Sequence, residues 1–318
     1  MPRTLLQMVQ AAQAELGLPQ ATTVFGSAAQ NTDIQMGALA NRALDELRRM
    51  NRWTALQWEF DLSVSVPFTL AGNMVAGSAI ITGLSSTAAI TAQAFSLSGT
   101  GIPPAARVQS VDSATQVTMT MPNTNTTNLT ATNILFMQDT YNMPDGFDWF
   151  NNRTMWDRTN RWELLGPESP QEDQWRRSGI VTTGPRRRFR KIGPYAKSFR
   201  IWPAPAELTA PLALVFEYLS INAVAVSGSA TSFAQYFVND DDTCLLDEQA
   251  IIMGIKWMFW EAKGFGSYVT LQSRWVDYVE RLIARDGAAP TLNMAKRVSP
   301  LLISPANIPD GYFPGSTN

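Results

Sequence analysis

The sequence predicts an α+β protein: a multi-helix bundle formed by N- and C-terminal helices, an antiparallel β-domain carrying an inserted small β-module, and an extended C-terminal tail. Three observations predict it. Apolar residues recur at helical spacing near both ends of the chain. They alternate with polar residues in the middle, and a Thr-, Ser-, Gly- and Asn-rich stretch with scarcely any charge interrupts that alternation.

Residues 1–57 read as a helical pair. Thr4 stands before Leu5, Met8, Val9, Ala12 and Leu16, an apolar stripe closed by Gly17 and Pro19. Thr32 or Asp33 is expected to cap a longer helix, with Met36, Leu39, Ala40, Ala43, Leu47 and Met50 on one face and Arg42, Asp45, Glu46 and Arg49 on the other. The period changes at WEFDLSVSV, where Trp58, Phe60, Leu62, Val64 and Val66 alternate as one face of a strand. Over 67–137 the short alternating runs at 78–82, 107–111 and 116–121, set between Gly, Pro and Asn turns, predict the inserted module. The β-domain comprises 58–66 and 138–232, with LALVFEYLS at 212–220 as its strongest strand. A second helical pair follows over 233–288. Asp242 or Thr243 is expected to cap CLLDEQAIIMGIKWMFWEAKG, which is apolar all round and therefore buried on more than one side. Leu271, Trp275, Tyr278, Val279 and Leu282 then keep helical register. The segment 289–318 is Pro-rich and aperiodic but retains Leu301, Leu302, Ile303, Tyr312 and Phe313, so it reads as a tail lying on an apolar surface.

Composition narrows the function classes. Histidine is absent, which excludes Ser-His-Asp, Cys-His and His-ligated metal schemes, and Cys244 has no partner thiol within the chain. No cofactor or metal is expected. Charged residues are 16% of the chain against a usual value of about 25%, whereas Trp, Met and Phe are plentiful, so part of the surface is expected to be covered by partners. The net charge of -2 provides no global basic field, and any nucleic-acid contact must be local. No apolar run approaches the roughly 20 residues needed to cross a bilayer. The chain reads as soluble, made in a reducing cytosol.

The densest local signal is TMWDRTNRWELLGPESPQEDQWRRSG, which groups Trp156, Trp162 and Trp175 with Arg158, Arg161, Arg176 and Arg177. Ser169, Pro170 and Glu172 form a capping-box pattern for a short helix, expected to turn Trp175 inward and Arg176 and Arg177 outward. Tryptophans in such a segment serve as core or interface anchors more often than as stacking platforms.

The order NMPDGFDWFNNRTMWDRTNRWELLGPESPQEDQW, FRKIGPYAKSFRIWPAP, LVFEYLS and DDDTCLLDEQAIIMGIKWMFWEAKG resembles the head-tail adaptor family of short-tailed bacteriophages, also called tail tubular protein A or gatekeeper proteins. The likeness covers about residues 4–66 and 138–290; the 67–137 module departs from a minimal member. The resemblance implies a non-enzymatic virion protein assembled in the host cytoplasm. It implies a dodecameric ring beneath the portal protein, bound below by a tail nozzle similar to tail tubular protein B and by tail fibres, with genomic DNA passing through its lumen. Candidate interface residues are Trp156, Arg158, Trp162, Trp175, Trp257, Leu301, Leu302, Ile303, Tyr312 and Phe313. Arg186, Arg187, Arg188, Arg190 and Lys191 form a candidate channel loop making sequence-blind phosphate contacts; alternatively their hairpin pairs with acidic residues of an adjacent subunit or meets water.

The carboxylates admit competing chemistry. Asp145 with Asp148, or Asp157 with Glu163, are the carboxylate pairs a glycan hydrolase would need, and a carbohydrate-binding adhesin is the third class. The run 239–242, NDDD, offers oxygen ligands for a hard cation, although helix capping by Asp242 is the preferred reading.

Overall fold

The computed structural model describes residues 2–177, 187–194, 197–229 and 231–287, and among these the protein is α+β with five α-helices and several antiparallel sheets. In chain order α1 (Leu5–Leu16) and α2 (Asn31–Met50) lead into β1 (Gln57–Val64). The strands β2 (Phe68–Met74), β3 (Ile80–Thr82), β4 (Phe95–Gly99), β5 (Val108–Ser113), β6 (Gln116–Met119) and β7 (Leu129–Gln138) follow. Next come β8 (Thr140–Asn142), β9 (Phe147–Phe150), β10 (Trp156–Asp157), β11 (Trp162–Glu163), α3 (Pro170–Arg177), β12 (Arg188–Ile192), β13 (Ser198–Trp202) and β14 (Leu212–Ser220). Three short strands, β15 (Val224–Ala225), β16 (Phe233–Ala234) and β17 (Thr243–Cys244), precede α4 (Glu248–Ala262) and α5 (Tyr268–Asp286).

Helices from both ends of the chain share one core. Thr4 caps α1 reciprocally with Gln7, and Gly17 ends it at φ 67°, a left-handed conformation that glycine adopts without Cβ strain. Helix α4 packs against α1, α2 and α5, which is why it is apolar on several sides. Gly254 permits its approach to α2: a Cβ there would lie 2.7 Å from the Ala43 Cβ. Trp275 closes the α4–α5 contact by donating its Nε1 hydrogen to the Ala250 carbonyl at 2.9 Å.

Two caps differ from expectation. Helix α2 starts after Gln30, and Asp33 is buried as the acceptor of Gln13 Nε2. Helix α4 is capped by Asp247, whose side chain accepts from the Ala250 N–H, while Thr243 lies in β17. The 239–242 run serves another helix. The carbonyls of Asp242 and Asp240 accept the N–H groups of Leu5 and Leu6, two of the orphan donors in the first turn of α1. The Asp242 carboxylate accepts from the N–H groups of Ser227, Val238 and Asn239, and that of Asp240 from the Thr23 hydroxyl and the N–H groups of Val24 and Phe25. These carboxylates are saturated by the chain's own donors, so the cation reading does not hold for them.

The central strand β14 pairs with β1 on one side and with β9 and β10 on the other. Its inner face, Leu212, Leu214, Phe216 and Tyr218, meets the sheet β12–β13–β8 through Phe189, Phe199, Ile201 and Tyr141. Edge-to-face rings bind the two layers, with Phe150 to Phe189 at 5.1 Å and Phe199 to Phe216 at 5.9 Å. The Thr-rich stretch forms a six-stranded antiparallel sheet, β4-β7-β2-β3-β6-β5, with its own buried cluster around Ile81, Val117, Ile134 and Phe136. Where β7 passes into β8, fully buried Asp139 joins the layers: it accepts from Ser96 and Arg107 of the six-stranded sheet, and its carbonyl accepts from Ile201 of β13.

Candidate functional site: an arginine layer and exposed tryptophans

Strand alternation decides where the arginines of β12 and β13 go. Phe189, Phe199 and Ile201 turn into the sandwich core, so Arg188, Arg190, Arg200 and Trp202 share the opposite face. Helix α3 covers that face. Ser169 caps it by accepting the Glu172 N–H at 3.2 Å. Its orientation is the reverse of the expected one. Asp173 is buried at 2% exposure, whereas Trp175 is 52% exposed, because burying the arginines of β12 requires carboxylates and not an indole.

The layer between α3 and the sheet is therefore ionic. Arg190 meets Asp173 at 2.8 Å, and Glu168 takes Arg176 at 2.9 Å and Arg188 at 3.3 Å. Burial pushes the Glu168 carboxyl above its ordinary value, although the two guanidinium groups pull it down. Arg177 lies 5.1 Å from the Trp202 ring centroid. At the far end Arg107, from the six-stranded sheet, pairs with Asp139. Six arginines (Arg107, Arg176, Arg177, Arg188, Arg190 and Arg200) thus share three buried carboxylates, Asp139, Glu168 and Asp173. Among the described residues Arg177 and Arg200 are left without an ion pair; Arg177 stands over the Trp202 ring, and Arg200 has its Nε buried without an acceptor. Burial and the nearby Arg107 and Arg177 lower its guanidinium to about 10.

This arrangement corrects the channel-loop expectation for Arg188 and Arg190, which are ion-paired within the chain, Arg188 sharing Glu168 with Arg176. Lys191 sits 5.3 Å from the Trp149 ring, which Arg52 flanks at 5.4 Å. Arg187 lines a pocket of about 360 Å³ with Asp157, Trp162 and Pro203. Arg186 lies outside the described residues, as do Leu301, Leu302, Ile303, Tyr312 and Phe313.

The tryptophans divide. Trp156 and Trp149 are opposed to Val215 and Leu219 of β14 and share the outward face of the main sheet, where both are nearly half exposed. Arg158 stands on the same face and pairs with Glu59 at 3.0 Å. Trp162, on the other face, and Trp175, on α3, are each about half exposed at 50% and 52%. Trp257 does not belong to this set. It is buried at 3% exposure in the helical core, 5.8 Å from the Trp275 ring, because α4 is enclosed by other helices. From the sequence Trp149 reads, like Trp156, Trp162 and Trp175, as a core or interface anchor; strict alternation would group it with buried Phe147, but a register shift between Leu219 and Ser220 turns it outward.

Of the proposed hydrolase pairs, Asp157 and Glu163 both line the pocket of about 360 Å³, but strand register turns their side chains apart. Register places Glu163 opposite Trp156 and Asp157 opposite Trp162, so the two carboxylates leave opposite faces of the ribbon. Asp157 instead accepts from the N–H and side-chain amide of Asn160, and Asp148 pairs with Arg48 at 2.9 Å. Among the described residues no helix is long and apolar enough to cross a membrane. No protein-family model matches the chain, and no curated protein is significantly similar to it.

Proposed function

We propose that this protein is a virion structural protein, the head-to-tail adaptor of a short-tailed phage, acting as an assembled ring between portal and tail nozzle. The observation that carries the reading is the distribution of charge and aromatic surface. Five arginines (Arg48, Arg107, Arg176, Arg188 and Arg190) have less than a third of their side chains exposed and are ion-paired inside the chain. Four tryptophans stand about half exposed. A chain already poor in charge has thus placed charge within and indole rings without, as expected of a subunit whose surface is completed by neighbours. The order of helical pair, sheet, inserted sheet and helical pair supports the same reading through the resemblance described above. On this reading the helices from the two ends form a bundle that makes ring and portal contacts, and the residues beyond 288 clasp a neighbour. Transient DNA contact falls to Arg187 and Lys191, since Arg188 and Arg190 are already paired.

Ring closure requires heterologous contacts, one patch of a subunit meeting a different patch of the next. Trp149 and Trp156 are the anchors assigned to one such patch. Mass photometry of the full chain, alone and mixed with the portal assembly of the same phage, tests the reading. Conversion of monomer into a portal-bound ring supports it, and Trp156→Ala should abolish conversion while leaving the monomer's melting temperature unchanged. A chain that stays monomeric with the portal present would overturn it.

A further inference from the structure

We propose that the groove between the six-stranded sheet and the outward face of β8–β13–β12 is an oxyanion site, in which Arg107 and Arg200 hold a phosphate or carboxylate carried by a small polar molecule. The groove has a volume of about 710 Å³, within the usual size of small-molecule sites. Thr91 and Gln93 with Arg107 line it from one side, and Thr140, Asn142 and Arg200 from the other. Neither layer builds it alone.

Arg107 is fixed in place. It is 8% exposed, and its Nη2 donates to the Gln93 carbonyl, the Asp139 carboxylate and the Thr140 hydroxyl, while its Nε is buried without an acceptor. Arg200 supplies the second guanidinium and is less committed still. Asp139 is taken by Arg107 and Asp173 by Arg190, which leaves Arg200 with no ion pair among the described residues. A guanidinium presents a planar fork of donors suited to two oxygens of one phosphate or carboxylate. Sequestering cations without counter-charge is costly, so an anion bound between Arg107 and Arg200 would repair the imbalance. The lowered proton affinity of Arg200 has the same origin, burial next to Arg107 and Arg177.

The rest of the lining indicates the body of the ligand. Hydroxyl and amide groups from Thr91, Gln93, Thr140, Asn142 and Ser198 share it with apolar surface from Leu62, Ala94, Tyr141, Ile192 and Pro194. Such a mixed surface suits a small molecule with both hydroxyl groups and apolar faces, as a sugar ring has, better than a lipid chain. The site stands apart from the assembly reading and survives its failure.

Isothermal titration calorimetry of the full chain tests the site with inorganic phosphate, glucose 6-phosphate and glucuronate. Glucose, and chloride at matched ionic strength, are the controls. Saturable heat with at least one of the three anions and none with the controls is expected. Phosphate and its ester acting together would assign the group as phosphate, and glucuronate acting alone would assign a carboxylate. Arg200→Gln should weaken binding about tenfold or more without lowering the melting temperature of the ligand-free protein, since the lost cation has no partner to strand. Arg107→Lys, which keeps the charge facing Asp139 but loses the fork, should weaken binding as well. Absence of saturable binding by all three anions at millimolar concentration would overturn the proposal. So would undiminished binding by Arg200→Gln, or a clear drop in its ligand-free melting temperature, which would mark Arg200 as a structural cation.

Discussion

Replacing Asp139 by Asn tests whether the joint between the two β layers depends on one buried ion pair. Asp139 is fully buried and accepts from Ser96 Oγ, Arg107 Nη2 and Thr140 Oγ1. Asparagine keeps the shape and one acceptor but leaves Arg107, with 10% of its side chain exposed, facing no carboxylate. Breaking one half of such a pair costs about 3–5 kcal/mol, mostly as the penalty for the stranded cation. Removing the cation as well, in Arg107→Met with Asp139→Asn, should bring the loss back to about 1–2 kcal/mol, the cost of the remaining unmade hydrogen bonds. Because Arg107→Met alone strands the Asp139 carboxylate in the same way, the double variant should lose far less than the two singles together, a coupling of roughly 4 kcal/mol or more in a double-mutant cycle. Tryptophan fluorescence is the wrong probe, because no Trp or Tyr lies between Pro67 and Met137. Urea unfolding followed by far-ultraviolet circular dichroism, with hydrogen exchange read on peptides of β4 and β7, reports on the joint directly. An Asp139→Asn loss below about 1 kcal/mol, or a double variant as unstable as the sum of the singles, would refute the reasoning.

Three further outcomes follow from the same geometry. Cys244 is 7% exposed with its thiol pushed up to about 12 by burial, so a disulfide reagent should leave it unmodified in the folded chain and label it only in denaturant. Gly254→Val should cost about 1–3 kcal/mol in urea unfolding, because the added carbons meet Ala43 where a Cβ alone would already stand at 2.7 Å. Burial raises the Asp242 carboxyl, but the N–H groups of Ser227, Val238 and Asn239 outweigh it and hold the group below its ordinary 3.8. Its contribution is therefore present above that value and is lost as pH falls through the lower folded one. Asp242→Asn should be less stable than the parent at neutral pH, and the two melting curves should converge in acid.

Local signals were legible in the sequence, and pairings distant along the chain were not. The Thr4 cap, the Gly17 stop and the all-round apolar character of α4 depend on a few adjacent residues, and each is where the pattern placed it. Strands β2, β4 and β7 escaped notice because their segments mix Gly72, Asn73, Ser96 and Asn133 with apolar residues. Their order comes from pairing across the sheet, as in Phe68 with Phe136 and Phe95 with Gln138. Asp242 satisfied the composition rule for a helix cap yet is used to organise a loop. The choice between these roles depends on Ser227 and Val238, which no local pattern reveals. The groove was invisible for the same reason, since Arg107 and Arg200 are 93 positions apart in the numbering and meet only through the β7–β8 joint.

The inversion of α3 shows how one constraint propagates. Phe189 and Phe199 must enter the sandwich, so period-two alternation commits Arg188, Arg190 and Arg200 to the opposite face before any helix arrives. A helix covering three cations has to present carboxylates, which accounts for the inward Asp173 and, just before the helix, Glu168. It then has no inward position for an indole, and Trp175 is left outside. Had the layer served stability alone, an apolar residue at 200 would have been the cheaper solution, since packed hydrophobic replacements of buried ions are often neutral or stabilising. Arg200 stands instead where the layer opens into the groove, beside Arg107 and beyond the reach of either carboxylate. Retaining a half-buried, unpaired guanidinium at that opening makes physical sense if something anionic comes to it from outside.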